Sequence, residues 1–479
     1  MELSAAELVT ITGGELVAGP ADARATSFTI DSRVVAPGAC FVALVAERNG
    51  HDFVPDAFSR GARIALVTDH REHDAPAGAA VVRVDDAFAA LARLGRAARA
   101  ALGDPIVVGI TGSAGKTGTK DLTAAALAPT FALHASPGSY NNEAGVPLTL
   151  LAAARGTEAL VLEMGARAHG DIAALCAVAS PTVGIITNIG LAHAGPLGGR
   201  EGVARVKGEL LEALDASGTA VLDAGDPFTP ALVARTEARV LRVFAEGDAS
   251  PGEPDVADVR ATGIVLDADL RPRFTLASPW GSGEVALAVR GAHQVVNALL
   301  AATVALSHGV SFEDVAAGLA TVQPAPWRME MARTADGVVV LDDAYNANPS
   351  SMAAALEALA RVEVSGRRVA VLGEMRELGE LSVPEHAALG DLVGASAVDA
   401  LVAVGPEAAP LAEHARAAGV PVTEVSDAAS ALDAVSGFVH RGDAVLVKGS
   451  RAVGLELVAT ALRGTGARAD AGADAEGPA

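Results

Sequence analysis

The stretch Val107-Val108-Gly109-Ile110-Thr111-Gly112-Ser113-Ala114-Gly115-Lys116-Thr117 decides how this chain is read. An apolar run enters a turn of small residues and ends in Gly-Lys-Thr before a helix-forming segment. Small residues let backbone N–H groups approach phosphate oxygens, and the helix N-terminus adds its positive dipole end. Thr111 to Gly115 form the cradle, Lys116 reaches the β- and γ-phosphates, and the Thr117 hydroxyl is placed to ligate Mg²⁺. The strict motif wants a glycine five residues before Gly115. Ile110 stands there, with Gly109 one place earlier. A turn that merely joins strand to helix is the alternative, but a strand before and a helix after are the context the motif requires. The loop implies a nucleoside triphosphate and does not choose between kinase, ATPase, GTPase and ligase. The Asn-Lys-x-Asp run of guanine-specific proteins is absent.

At 479 residues the chain is too long for one core, and two or three domains are expected. Half of it is hydrophobic with few aromatics, the composition of a soluble α/β enzyme. The net charge of −22 opposes nonspecific binding to nucleic acid. Cys40 and Cys176 form no C-x-x-C and fit a reducing compartment. Met1-Glu2-Leu3-Ser4 lacks a basic n-region, so no signal peptide is expected, and no uncharged apolar run is long enough to span a bilayer.

The first hundred residues read as a small α/β unit ending at Gly103-Asp104-Pro105. Strands then alternate with helices, the pattern of a parallel sheet covered on both faces. Expected strands are 106–110, 159–163, 183–187 and 219–222, and residues 264–289 look antiparallel. Pro324-Ala325-Pro326 breaks the chain, and strand and helix alternate again at 338–341, 369–372, 400–404 and 444–447. Boundaries are placed at 1–104, 105–325 and 326–463, with 464–479, rich in Ala, Gly and Asp, read as a disordered tail.

Polar groups follow the strands, where open α/β sheets bind ligands. Glu163 ends an apolar strand beside the phosphate loop, a place for a carboxylate on Mg²⁺. Thr187-Asn188-Ile189-Gly190-Leu191-Ala192-His193 puts a histidine on a loop at the same edge. Lys207, on a helix, reads from physics alone as a solvated lysine. Asn297 suits either a base edge or a buried amide. Asp342-Asp343-Ala344-Tyr345-Asn346-Ala347-Asn348-Pro349 is a dense polar cluster whose adjacent aspartates invite a cation or a hydroxyl-rich ligand.

Together these segments resemble the Mur ligases of peptidoglycan synthesis, from about Ile30 to about Glu456. The run Asp342–Met352, with Asn141-Asn142-Glu143 and Leu372-Gly373-Glu374-Met375-Arg376-Glu377-Leu378-Gly379, resembles the members that join D-alanyl-D-alanine to UDP-N-acetylmuramoyl-tripeptide. The Asp-Asn-Pro-Arg of the members that add the third residue is absent. The resemblance implies an α/β fold of three domains. These are a small substrate domain, a central P-loop ATPase domain with a parallel sheet, and a C-terminal Rossmann-like domain that closes over it about a hinge at Pro324–Pro326. It implies ATP and Mg²⁺, those two small-molecule substrates, a cytoplasmic enzyme, and no nucleic-acid or membrane partner. A monomer is expected, since nothing in the sequence demands a partner subunit.

The same resemblance assigns roles. Lys207 matches a lysine whose carbamate ligates Mg²⁺, and Glu163 and His193 match further metal ligands. Lys116 and Thr117 match the γ-phosphate and Mg²⁺ contacts. Asn297 matches the adenine contact, and Arg328 and Asp343 match groups near phosphates and ribose. Asp31-Ser32-Arg33 and Asn49-Gly50-His51-Asp52-Phe53 match UDP-sugar loops, and Asn141, Asn142, Tyr345, Asn346 and Asn348 stand with the substrates. The resemblance assigns no base for the attacking amine, and His386, at the Pro384-Glu385-His386 helix start, is offered from its place in the sequence alone. Two alternatives remain at this point. One is a related ligase acting on folate or polyamino acids, against which the Tyr345–Pro349 run argues. The other is a nucleotide-binding regulatory protein, which predicts decay at Lys116, Glu163, His193 or Lys207, and all four are intact.

Overall fold

The structure, a computed structural model, describes residues 1–192, 194–247 and 256–470. Besides a two-stranded pair, Leu3–Ser4 with Arg24–Ala25, three larger sheets follow one another along the chain. The first has five strands in the order Glu15–Ala18, Ala80–Arg83, Ile64–Val67, Ala39–Val42 and Ser27–Thr29, parallel except for the edge strand Glu15–Ala18. Ser4 opens the chain's first helix, Ala5–Thr12, by a capping box with Glu7, which satisfies two otherwise orphaned donors.

The nine-stranded central sheet holds the phosphate loop. Ile106–Thr111 lies between Ala159–Glu163 and Val183–Ile186, parallel to both. The chain builds outward from Ile106–Thr111 in both directions, so the loop that follows it opens at the switch point of the sheet. The far edge is an antiparallel meander, Val259–Leu266, Pro272–Ser278 and Gly281–Ala286, as the alternation in the sequence indicates. The third sheet has six strands, parallel except for its edge strand Glu330–Arg333, which enters directly from the Pro324–Pro326 segment.

The packing of these units is unequal. One cluster of buried apolar side chains runs unbroken from the first unit into the lower layer of the central sheet. Leu91, Leu94 and Ala98 of helix Ala87–Ala101 meet Val146, Leu150, Ile172 and Leu175 there. Helices Lys116–Leu127 and Gln294–Ser307 cover the other face of the central sheet. The third sheet has its own clusters on each face and touches the central unit through a few residues, among them Leu191 and Leu381. No helix among the described residues is long and apolar enough to cross a membrane.

The last helix, Glu456–Asp470, extends into the stretch read as a tail, and residues 471–479 lie outside the described residues. That helix corrects the reading of Asp342, the first of the two adjacent aspartates, because its partner comes from the protein itself. Asp342 is fully buried and meets Arg463 Nη2 at 2.7 Å, while the other arm of the same guanidinium takes Glu330 at 2.8 Å. Burial outweighs this pairing and raises the Asp342 carboxyl to about 6. A folded-state value above the ordinary carboxylate range means that Asp342 favours folding at low pH. That contribution is lost as pH rises through about 6. Removing the guanidinium should therefore matter little at pH 5, where the carboxyl is largely protonated. At pH 8 Arg463→Met should cost about 3 kcal/mol, because an ionised buried carboxylate is left unpaired. Denaturant unfolding at the two pH values measures this, and an equal loss at both would refute it.

Candidate active site

The phosphate loop is braced from below. Gly112 has φ 152°, and a Cβ there would lie 1.8 Å from Thr187 Oγ1, so only glycine fits. Thr187 Oγ1 donates to Ala114 O at 2.5 Å, and Asn188 Oδ1 accepts from the Ala114 N–H at 3.0 Å. Ser113 Oγ accepts from the Gly190 N–H at 2.8 Å. The loop after strand Val183–Ile186 thus supports the cradle, and Lys116 Nζ rests on Gly112 O at 2.8 Å. Burial lowers the Lys116 ammonium from its ordinary value, with the Glu163 charge acting against that shift.

Glu163 sits at the end of its strand, 2% exposed. Thr117 Oγ1 donates to Oε2 at 2.7 Å, and Asn141 Nδ2 donates to Oε1 at 2.7 Å. Both donors are neutral and leave lone pairs of the carboxylate facing the cavity, a donor set that suits a hard divalent cation. Lys207, on helix Gly199–Glu212, is 1% exposed, which overturns its reading as a solvated helix lysine. Burial drives its ammonium well below the ordinary lysine value, and Lys116 adds a like charge. Among the described residues no acceptor stands within hydrogen-bond distance of it. His193 lies outside the described residues.

The third unit completes the cleft. Arg328 Nη2 reaches Thr117 Oγ1 at 3.0 Å, and its guanidinium lies over the Tyr345 ring at 4.0 Å. Tyr345 Oη meets Ser139 Oγ at 2.6 Å, and Asn348 Nδ2 reaches Ser113 O at 3.4 Å. Arg328 is flanked by Trp327 and Met329, non-glycine residues at φ 60° and 49°. These conformations are costly, and tertiary contacts hold them. Trp327 O accepts from the Tyr345 N–H at 3.1 Å, and Asp343 Oδ1 accepts from the Met329 N–H at 3.0 Å. Lys448 Nζ clamps Asp343 Oδ2 at 2.6 Å and Asn346 O at 2.8 Å. Away from the cleft the same two units meet backbone to backbone, so a Cβ on Gly195 would lie 2.8 Å from the Gly379 nitrogen.

One cavity of about 1220 Å³ gathers most of the expected residues. Ser113 to Thr117, Asn141, Asn142, Glu163, Lys207, Asn297, Arg328, Asp343, Tyr345, Asn346 and Asn348 line it. Thr111 and Gly112 lie beneath the loop, and Thr111 Oγ1 is buried without a partner among the described residues. Asn297 is 5% exposed, donates to Gln294 Oε1 at 2.9 Å and packs against Gly115. Ser32, Arg33, Asn49 and His51 stand apart on the first unit. Arg33 is exposed and paired with Asp31 at 2.7 Å, whereas His51 is buried. Its Nδ1 meets Asn49 Oδ1 at 2.7 Å and its Nε2 accepts from the Thr68 N–H at 2.9 Å. His386 is likewise fully committed, accepting from the Met375 N–H at 2.9 Å and donating to Ser382 O at 2.7 Å, so no ring nitrogen is free to act as a base. Sequence reasoning gave no role to Asn188, Ser139 or Lys448. Asn188 and Lys448 stand just past or at a strand end, and that position was the available signal, whereas Ser139 carried none.

A family model described as the Mur ligase middle domain matches residues 110–305, and one described as Mur ligase, glutamate ligase domain, matches residues 327–451. A Mycobacterium leprae protein named UDP-N-acetylmuramoyl-tripeptide–D-alanyl-D-alanine ligase is 42% identical, over 98% of this chain and 99% of its own. A crystal structure of MurF from Acinetobacter baumannii aligns with a TM-score of 0.84 at 31% identity, covering 97% of this chain and 99% of that one. The MurF ligase of Thermotoga maritima, solved in complex with ADP, aligns with a TM-score of 0.76 at 29% identity, covering 92% and 98%. Likeness of sequence and fold thus runs along nearly the whole chain, phosphate cradle and facing third unit included, and the chain belongs to the Mur ligase family.

Proposed function

We propose that this chain is the ATP-dependent ligase that joins D-alanyl-D-alanine to UDP-N-acetylmuramoyl-tripeptide, giving the pentapeptide precursor of peptidoglycan. The observation that carries this reading is the single cavity shared by the phosphate loop, Glu163 and the Tyr345–Asn348 run, together with the whole-length likeness to ligases of that name. The enzyme works on small molecules, and the reading places it in the cytoplasm, where ATP and the nucleotide-linked substrate are made, as a monomer of three units, 1–104, 105–325 and 326–463.

A carboxylate is a poor acyl donor. Its oxygen attacks the γ-phosphorus of ATP, ADP leaves, and an acyl phosphate forms. The amine of D-alanyl-D-alanine then adds to the acyl carbon, loses a proton, and expels phosphate as the amide forms. Lys116 moves from Gly112 O to the transferring phosphoryl group, and Arg328 offers a second cation beside Thr117. Thr117 and Glu163 would hold Mg²⁺, whose charge steadies the phosphate oxygens. Lys207, whose ammonium form burial disfavours, suits reaction with CO₂, in which the neutral amine forms a carbamate and releases a proton, so a buried base becomes an anionic ligand. By family resemblance His193 belongs to the same set. Asn297, packed against Gly115, sets the adenine side, and Asp343 lies toward the ribose. Asn141, Asn142, Tyr345, Asn346 and Asn348 face the peptide and dipeptide. On the first unit Ser32 and the exposed Arg33 meet the UDP-sugar, while Asn49 and buried His51 shape its loop. Closure of the third unit keeps water from the acyl phosphate.

Phosphate release from ATP and Mg²⁺, with the two acceptor substrates added singly and together and product mass recorded, tests the reading. Release should require both substrates and give the pentapeptide, and release independent of them would sink it. Lys207→Ala should lower turnover by roughly 10²–10³-fold, as removal of a group that organises transition-state charge does, and excess bicarbonate should not rescue it. A fully active variant would end the carbamate assignment. Glu163→Ala should cut turnover to a similar extent with the affinity for UDP-N-acetylmuramoyl-tripeptide unchanged, whereas equal loss of both would indicate a different role.

A further inference from the structure

The chain contains only four lysines among its 36 lysines and arginines: Lys116, Lys120, Lys207 and Lys448. None lies on the open surface. Three face the cavity, and the fourth, Lys120, lies one helical turn beyond Thr117 with 4% exposure and does not line it. A buried ammonium is costly unless its donors are satisfied. Those of Lys120 meet Ser136 O at 2.9 Å, Gly138 O at 3.2 Å and Asp121 Oδ1 at 3.0 Å. Two of these acceptors are backbone groups of the segment 136–142, which joins strand Leu133–Ala135 to helix Gly145–Ala152.

That segment makes three contacts that matter to the ligation. Ser136 Oγ accepts from the Glu163 N–H at 3.3 Å, and Asn141 Nδ2 holds Glu163 Oε1 at 2.7 Å. Ser139 Oγ meets Tyr345 Oη of the third unit at 2.6 Å. The segment therefore touches the carboxylate proposed for the cation and the unit that closes over it. The Lys120 side chain ties the segment directly to the helix of the phosphate loop. An ammonium is a compact point charge with three donors, whereas a planar guanidinium cannot take the same three acceptors from the same place.

We propose that Lys120 is a positioning residue for the ligation: by anchoring segment 136–142 to the phosphate-loop helix it aims Asn141 at Glu163 and sets Ser139 beneath Tyr345. The proposal rests on the ligase reading above. Nucleotide binding, which depends on the cradle of residues 113–117, does not depend on this anchor.

Wild type, Lys120→Met, Lys120→Arg, Asn141→Ala and the Lys120→Met/Asn141→Ala pair would be compared for pentapeptide formation at saturating substrates and for ADP affinity by calorimetry. Lys120→Met should bind ADP within about threefold of wild type and lose roughly tenfold or more in kcat, with Lys120→Arg between them. The double variant should fall no more than about threefold below Asn141→Ala alone, because groups acting along one path are not additive. Unchanged kcat in Lys120→Met, losses that multiply in the double variant, or a loss of ADP affinity equal to the loss of kcat would each overturn the proposal. Should Lys120→Met fail to fold, Lys120→Arg alone and with Asn141→Ala carries the same test of non-additivity. A wild-type enzyme that makes no pentapeptide would instead refute the ligase reading.

Discussion

A carboxylate held out of water is the constraint on which the centre of this molecule depends. Glu163 ends a fully buried strand, and nothing in a sheet interior can solvate it. Its oxygens are met by a threonine from the phosphate-loop helix and an asparagine from a neighbouring segment. Two neutral donors hold the group in place without cancelling its charge. The field they leave acts on what surrounds it, opposing the desolvation of Lys116 and suiting the divalent cation proposed for this place. The cradle, the third unit and the segment 136–142 each reach this carboxylate within one or two contacts.

The distribution of charge extends the argument. A chain of net charge −22 keeps its few lysines inside, while its arginines serve the rim, the linker and the surface. Lys448 neutralises Asp343, Lys120 binds carbonyl oxygens, and Lys207 has no counter-charge among the described residues. The environments differ accordingly: Lys448 and Lys120 each meet a carboxylate, whereas Lys207 is an amine pushed toward neutrality by burial. The last is the state in which lysine is a nucleophile.

The fold was legible where local physics is strong. The phosphate loop, the apolar strands beside it, and the alternation of residues 264–289 all carry periodic or motif signals that tertiary structure did not override. Short strands such as Leu133–Ala135 and Glu330–Arg333 were not read, because a few residues of mixed polarity carry no period, and their pairing is decided by neighbours far along the chain. Site residues divide in the same way. Glu163 was visible from its place after a strand. Lys207 was not, since a helix lysine looks solvated until the packing around it is known, and only family resemblance singled it out. His386 misled for the opposite reason, as a histidine at a helix start looks available until both of its nitrogens are found engaged.

The unbroken apolar core between the first unit and the central sheet has a further consequence. Two bodies that share one core cannot slide past each other without opening it, so the span between Arg33 and Glu163 is set by packed side chains rather than by a linker. On the proposed reading, a substrate gripped at its nucleotide end would be measured against a fixed length before any chemistry begins. Each peptide residue adds at most about 3.3–3.6 Å of reach, so a stem one residue short presents its carboxylate that far from the phosphoryl donor. Rigidity far from the reacting atoms would thus act as a ruler in that reading, selecting the substrate by how far it extends as well as by what it displays.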